Sequence, residues 1–413
     1  MRAGRAAGPP LPEHAAVSLA APQAVIAVLN CGSSSIKFAL FDAAAAELPR
    51  QPWWGGKVEG IGSARPRLQT ADGLDRVLTL GEAQPYHDAL AVIREAIAAR
   101  LGAVPVRAVA HRVVHGGAHH AAPLRVDAAA LAELRGFIPL APLHQPFALE
   151  AMEVLLQQRP DLPQVACFDT AFHHTLPQVE QMLPLPWSAW ERGLRRYGFH
   201  GLSYEYQSIV LPERHGELAR GRCLVAHLGS GASLCAMQGG RSVATTMGFS
   251  ALDGLMMGTR CGALDPGALL YLMEIEGLDV HEVGQMLYHQ SGLLGVSGRS
   301  AEPRELLAIE AEDPRCAAAL ALFVRRIVRE IGALVAVLGG LDLLVFTAGI
   351  GEHQAEVRSR IVAGLGFLGL ALDEGANARN EAVISAPASA VRVAVEPTNE
   401  EWVAARQALQ LLS

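Results

Sequence analysis

The sequence predicts an α/β protein of two domains built on one repeated plan, and three observations carry that expectation. The stretch 25–42 reads as a strand, a small hydroxyl-rich turn and a second strand: an apolar run rich in β-branched residues breaks at Asn30-Cys31-Gly32-Ser33-Ser34-Ser35, and a second apolar run ends on Asp42. The stretch 223–237 repeats this plan about 200 residues later, with Gly229-Ser230-Gly231 at its tip. The stretch 343–352 is an apolar strand that turns through Gly349 and Gly351 into a helix, which leaves backbone N–H groups free to face a nucleotide. A chain of 413 residues is also longer than one core usually supports.

The opening hairpin has two readings. Successive N–H groups in a Gly/Ser turn can converge on an oxyanion such as phosphate, and a polar turn beside a solvated Lys37 is equally what hairpins use. Lys37 and Lys57 are the only two lysines in the chain, which otherwise relies on Arg, so a compact ammonium is selected here. Composition narrows the classes. Charged residues make up 18% and apolar residues 51%, far from the balance of a disordered chain. A net charge of −7 with no long basic run argues against a nucleic-acid surface. Six cysteines without a CxxC pair read as reduced thiols, and no apolar stretch approaches a membrane span. Residues 1–23 are rich in Ala, Pro and Arg and lack the apolar core of a secretory signal, so a disordered extension or an upstream start is expected, with a cytoplasmic location.

Strand and turn are expected from 53 to 80, then a helix over 89–100. The stretch 108–117 reads as a strand ending at Gly116-Gly117, and Arg112 at its end is a candidate clamp for a carboxylate or phosphate. His111, His115, His119 and His120 have a spacing that could suit a metal on a helix, but the glycines and β-branched flanks favour a strand. A proline-framed segment, 139–146, opens a helix over 147–158. The next strand delivers Asp169 at its C-terminal end, where α/β proteins place catalytic groups; read alone, Asp169 is better explained as the cap of the following turn. His200 lies in an aromatic and glycine segment and reads alone as a satisfied structural His. Arg260 sits among small residues, and Thr398-Asn399 starts a C-terminal helix that should return to the first domain.

Together these segments resemble the acetate kinase family, in the superfamily that it shares with sugar kinases and actin. The resemblance runs from Val25 to the C-terminus. It rests on Asn30-Cys31-Gly32-Ser33-Ser34-Ser35-Ile36-Lys37, Phe168-Asp169-Thr170-Ala171-Phe172-His173, the stretch 247–266, and Pro397-Thr398-Asn399-Glu400-Glu401. It implies a two-domain, duplicated actin-like ATPase (ribonuclease H-like) α/β fold with an interdomain cleft. The N-terminal domain would comprise 24–168 plus 397–413, and the nucleotide-binding domain 169–396. It implies reversible, ATP-dependent phosphorylation of acetate to acetyl phosphate and ADP by direct in-line transfer. The alternatives are a propionate or other short-chain acyl kinase, or a regulator that binds nucleotide without turnover.

Carried over residue by residue, Asp169, His200 and Arg260 would be catalytic, with Arg112, Val114, Leu143 and Phe199 on the acyl substrate. Lys37, His227, Leu228, Gly229, Ser230, Gly231, Glu302, Pro303, Arg304, Ala348, Gly349, Ile350, Gly351 and Glu352 would touch the nucleotide. Asn30 and Glu400 would mark the site of Mg²⁺, with Mn²⁺ an alternative, and the resemblance implies a homodimer. Five positions depart from the family pattern: Ser230 stands where Asn is usual, Tyr204 where His is usual, Ala244 where Asp is common, Glu302 where Asp contacts the nucleotide, and Ala251 where a proline lines the acyl pocket. Loss of that ring should widen the pocket toward propionate or larger acids.

Overall fold

The computed structural model describes residues 21–142 and 144–413. Leu143, and all of the expected extension except 21–23, lie outside the described residues. The opening hairpin forms as expected, from β1 (Val25–Cys31) and β2 (Ser35–Asp42), paired antiparallel so that Asn30 faces Lys37. β3 (Trp54–Glu59), β4 (Arg67–Thr70) and β5 (Asp75–Val77) extend the meander on one side. β6 (Val106–Val113) and β8 (Gln164–Phe168) join β1 on the other side as parallel strands, and β7 (Leu124–Arg125) closes the edge.

The second sheet repeats the plan. β9 (Arg222–Leu228), β10 (Ala232–Gln238) and β11 (Arg241–Thr245) form its antiparallel half, and β12 (Leu343–Thr347) and β13 (Arg392–Val395) its parallel half. Both sheets run third, second, first strand and then two parallel strands, the sheet orders being β3-β2-β1-β6-β8 and β11-β10-β9-β12-β13. This is the duplicated actin-like ATPase fold.

The first strand is apolar throughout because it is covered on both faces. Val25, Ala27 and Leu29 pack under α1 (Pro85–Leu101) and α2 (Gln145–Gln158), while Ile26 and Val28 point to the opposite layer, as the period of two requires. That opposite layer holds α3 (Gly201–His215) and the C-terminal helix α6 (Glu400–Leu412), and the second half contributes α4 (Pro314–Leu338) and α5 (Ala348–His353). α3 is shared by the two sheets. Leu202, Tyr206 and Val210 meet the first, and Tyr204 and Leu211 meet β9, β10 and β12 of the second. The far face of the second sheet is covered by α4, whose buried Leu320, Phe323, Ile327 and Ile331 recur every three or four residues. Among the described residues no helix is long and apolar enough to cross a membrane.

α6 returns to the first sheet. Asn399 caps it by accepting from Trp402 N at 3.0 Å, and Trp402 donates its indole N–H to Leu48 O at 3.1 Å. The guanidinium carbons of Arg50 and Arg406 lie 5.5 and 5.7 Å from the indole centroid. Truncating Trp402 should therefore loosen the helix that carries Glu400. Trp402→Ala is expected to lower the free energy of unfolding by about 3–4 kcal/mol in urea titrations, and a loss below about 1 kcal/mol would show that the indole does not anchor α6.

Candidate active site

The C-terminal ends of the parallel strands β6 and β8 bring Arg112 and Asp169 together. Arg112 Nε lies 3.0 and 3.1 Å from the two Asp169 carboxylate oxygens, and its Nη2 lies 2.7 Å from Oδ2. Arg112 Nη1 donates to Glu400 Oε2 at 2.6 Å, at the first residue of α6. Asp169 does not cap the turn that follows it, contrary to the reading of that residue alone. A carboxylate next to a buried, bidentate guanidinium gains more from that pair than from a turn N–H. The Asp169 carbonyl instead accepts from Gly201 N at 2.8 Å, and a Cβ at Gly201 would collide with it, so glycine there lets α3 start against Asp169.

The electrostatics of this triad are uneven. Burial opposes the charge of Arg112, but Asp169 and Glu400 more than offset it and raise its pKa. Glu400 is pushed up to about 7, first by burial; Arg112 pulls the other way, and the charges of Asp169 and Glu401 add to the rise. Two carboxylates thus share one guanidinium.

A second layer is built from imidazoles. His200, in the left-handed region at φ 59°, places Nδ1 2.8 Å from Ser233 Oγ, and its ring stacks on His227 at 4.1 Å and 17°. His227 Nδ1 lies 2.8 Å from Ser203 Oγ, which is 2.8 Å from Thr398 Oγ1. Burial, then the neighbouring His227, Arg112 and Arg260, hold His200 well below its ordinary value, and burial with Arg112 brings His227 down to about 3. Both rings are therefore neutral at pH 7.

Arg260 lies in the loop between β11 and the helices that follow. Its Nη1 donates to Ala251 O at 3.1 Å and contacts Met257 Sδ at 3.8 Å, and its Nη2 is 3.5 Å from His144 Nε2. Burial lowers its pKa, and burial with Arg260 and Arg112 brings His144 to about 4. The tip of the second hairpin meets these donors: a Cβ on Gly231 would lie 3.2 Å from His200 Nε2 and 3.7 Å from Arg260 Nη1. A Cβ on Gly229 would lie 3.7 Å from that of Ala348, so this tip and the β12 turn adjoin. Ala348 takes φ 65°, and its N–H donates to Glu352 Oε1 at 2.8 Å; the same oxygen accepts from Thr398 N at 3.2 Å.

The structure thus joins Arg112, Asp169 and Glu400, and separately His200, His227, Gly229, Gly231, Arg260 and Ala348. Leu228 is buried just before the hairpin tip, and Gly349, Ile350 and Gly351 continue the turn into α5. Val114 and Ala251 pack against the core cluster that holds Phe199. Glu302 and Arg304 are exposed around the buried Pro303 and make no hydrogen bond to the residues above among the described residues. The four histidines near Gly116 do not converge: His111 lies in the β6 strand beside Gln164 at 2.8 Å, and His120 pairs with Glu133 at 2.9 Å. Among the described residues no cluster of three or more His, Cys, Asp or Glu is arranged to hold a metal by itself.

Three contributors were not singled out from sequence. His144 had only its proline frame to mark it, and Ser233 only its place after the hairpin tip. Arg358 had nothing. It is fully buried, donates to Gly351 O at 2.8 Å and Glu352 O at 3.0 Å, and grips Asn377 and Asn380, which ties down the C-terminal end of α5. Burial lowers its pKa to about 10, which leaves it charged at pH 7 on neutral acceptors alone.

The family model that matches the chain is that of the Acetokinase family, over residues 25–406. A curated acetate kinase of Rhodopseudomonas palustris is 50% identical over 393 residues, 94% of this chain and 98% of that one. The crystal structure of a propionate kinase from Francisella tularensis superposes with a TM-score of 0.84 at 34% identity, covering 93% of this chain and 98% of its own. That of Porphyromonas gingivalis acetate kinase gives 0.83 at 35%, covering 94% and 100%.

The raised pKa of Glu400 has a stability signature. A carboxyl whose folded value lies near 7, above its unfolded value of 4.5, favours the folded state most below pH 4.5 and loses that contribution as the pH rises to 7. Glu400→Gln should remove this slope, which is on the order of 2–3 kcal/mol in total. Urea unfolding of wild type and variant at pH 5, 6, 7 and 8 checks it; parallel pH dependences would assign the group an ordinary pKa.

Proposed function

This chain belongs to the Acetokinase family, and from that premise we propose that it transfers the γ-phosphoryl group of ATP to acetate, reversibly, giving acetyl phosphate and ADP. The observation that carries this reading is the meeting of His200 Nε2 and Arg260 Nη1 at the Gly231 tip. An ionised carboxylate is already a nucleophile at neutral pH, so the protein needs no strong base. It has to bring two anions together and neutralise the equatorial oxygens during an in-line transfer.

Arg260 suits that task because it faces a carbonyl, a thioether and an imidazole, with no carboxylate in salt-bridge range among the described residues. Its charge is thus available to the phosphoryl group, and His200 adds a neutral N–H donor. Each such donor can lower the barrier by roughly 3 kcal/mol. Arg112 has five N–H hydrogens and uses three on Asp169 and Glu400, which leaves one on each terminal nitrogen for a substrate oxygen. Asp169 fixes the orientation of that guanidinium.

The hairpin tip Gly229–Gly231 and the turn Ala348–Glu352 would receive the nucleotide phosphates, with Lys37 opposite and Glu302, Pro303 and Arg304 at an outer contact. Val114, Phe199 and Leu143 would line the acyl pocket. We infer that the substrates meet in a cleft between 24–168 with 397–413 on one side and 169–396 on the other. The oxygen donors fit a hard divalent cation: Asp169 and Glu400 share one guanidinium, and the rise of Glu400, caused first by burial, is increased by the neighbouring charges of Asp169 and Glu401. Mg²⁺, for which Mn²⁺ could substitute, is usually held through one or two carboxylates plus substrate phosphates. Asn30 and Glu400 would hold it, and when bound it would neutralise phosphate oxygens. ATP as co-substrate and free thiols agree with a cytoplasmic location.

Ala251 supports a second reading of the substrate. It carries no ring, and its carbonyl accepts from Arg260, so propionate would fit with a smaller penalty than in a proline-lined pocket. A hydroxamate assay with ATP, Mg²⁺ and C2–C4 carboxylates decides between acids, and absence of acyl phosphate from all of them, with ATP still bound, would favour a regulator. In the same assay Arg260→Ala is expected to lower kcat about 10²–10³-fold; near-normal turnover would remove Arg260 from the transfer step.

The homodimer reading has a surface to support it. The helix Pro266–Glu274 has no buried residue although it is largely apolar, and Leu270, Tyr271 and Ile275 are 57%, 55% and 68% exposed. An apolar patch of this kind suits a second copy of the chain. Sedimentation equilibrium should give twice 43.7 kDa for the wild type and 43.7 kDa for Leu270→Asp/Ile275→Asp; a dimeric double variant would place the interface elsewhere.

A further inference from the structure

Behind His200 runs a buried hydroxyl chain whose hydrogens can be counted. Tyr204 and Ser233 are both fully buried. The Tyr204 phenol oxygen lies 2.6 Å from Ser233 Oγ, and Ser233 Oγ lies 2.8 Å from His200 Nδ1. Among the described residues Ser233 is the phenol's one hydrogen-bond partner. If Tyr204 donates to Ser233 and Ser233 donates to Nδ1, every hydrogen of the chain has an acceptor. His200 then carries its proton on Nε2. If the chain ran the other way, from Nδ1–H through Ser233 to the phenol oxygen, the phenol hydrogen would be left in the interior without an acceptor, a loss that buried groups avoid. A doubly protonated His200 would likewise leave one hydroxyl hydrogen of the chain, that of Tyr204 or of Ser233, without an acceptor.

We propose that Tyr204 and Ser233 are positioning residues that hold His200 as a neutral imidazole with its N–H at Nε2, directed at the transferring phosphoryl group. The proposal rests on the phosphotransfer reading given above. The Nε2 end faces the Gly231 tip beside Arg260 Nη1, so hydrogen donors from two elements converge there. The other tautomer would aim a lone pair at the phosphoryl oxygens and repel them. The stacked His227 ring, with Arg112, Arg260 and His173 around it, disfavours a cationic His200 and acts in the same direction. A Tyr at 204, in place of the His usual in the family, suits this device: a phenol has one hydrogen and no tautomers, so its donor direction follows from its single neighbour.

The tautomer can be read without substrate. Two-bond ¹⁵N–¹H correlation spectra of the full-length, histidine-labelled protein at pH 7.5, with His200 assigned by its loss in His200→Asn, should show a neutral ring protonated at Nε2. A ring protonated at Nδ1, or at both nitrogens, would overturn the proposal even if the protein phosphorylates no acid. Steady-state kinetics give an independent test. Ser233→Ala is expected to lower kcat roughly 30-fold and Tyr204→Phe about 5-fold, with KM for ATP and acetate changed less than about 2-fold. Because Tyr204 acts only through Ser233, the double variant should be as slow as Ser233→Ala alone, within about 2-fold. Multiplied effects in the double variant, or wild-type kcat in Ser233→Ala, would overturn the proposal.

Discussion

The Arg112 guanidinium, set between Asp169 and Glu400, is the interaction on which the site's geometry depends. It joins the ends of two parallel strands to the first turn of the last helix, across 57 and 288 residues of chain. A buried ion group of this kind is weak evidence for net stability, because desolvation opposes much of the Coulomb gain. It does fix direction. The planar fork sets the positions of both carboxylates, and the shared charge leaves the group acidic overall. α6 can bring Glu400 to this point only because Trp402 and the small residues Ala404, Ala405 and Ala408 seat it closely on the first sheet.

The second half reaches the same place through α3. Its first residues hold Asp169 through Gly201, and Ser203 links His227 to Thr398 just ahead of Glu400. Gln207, one turn further, donates to Thr347 Oγ1 at 3.1 Å and to the carbonyls of Glu396 and Pro397 at 3.2 Å. Glu352 then accepts from both Ala348 and Thr398. The β12 turn is thereby joined to the segment that carries Glu400 by a short run of polar contacts between packed elements. A site assembled from two repeats needs such a link if both halves are to act on one phosphoryl group.

The repeat itself was legible in the sequence, because hairpins with Gly/Ser tips and doubly buried strands leave local patterns. The same holds for the C-terminal helix with its Asn399 cap, and for the β12 turn. Asp169 was misread when taken alone: capping is decided within three residues, whereas its guanidinium partner lies 57 residues away. His144, Ser233 and Arg358 escaped notice for the same reason. Each is an ordinary residue in its own neighbourhood, and acquires a role only when the fold sets it beside Arg260, His200 or the end of α5.

The two arginines of the site are consequently not equivalent, although they look alike in the sequence. Arg112 is compensated by two carboxylates, so an incoming anion meets little free charge there and finds mainly two fixed N–H hydrogens. Arg260 is set among neutral acceptors in a buried loop, where burial already weighs against its charge. An anionic phosphoryl group would relieve that penalty as it arrives. His200, held neutral, would add a donor without adding positive charge that would bind ATP and acyl phosphate equally tightly in every state. On the proposed transfer, Arg112 would orient the acyl carboxylate, and Arg260 would supply attraction where charge builds up, which is the differential stabilisation that accelerates a reaction rather than merely tightening its ground states.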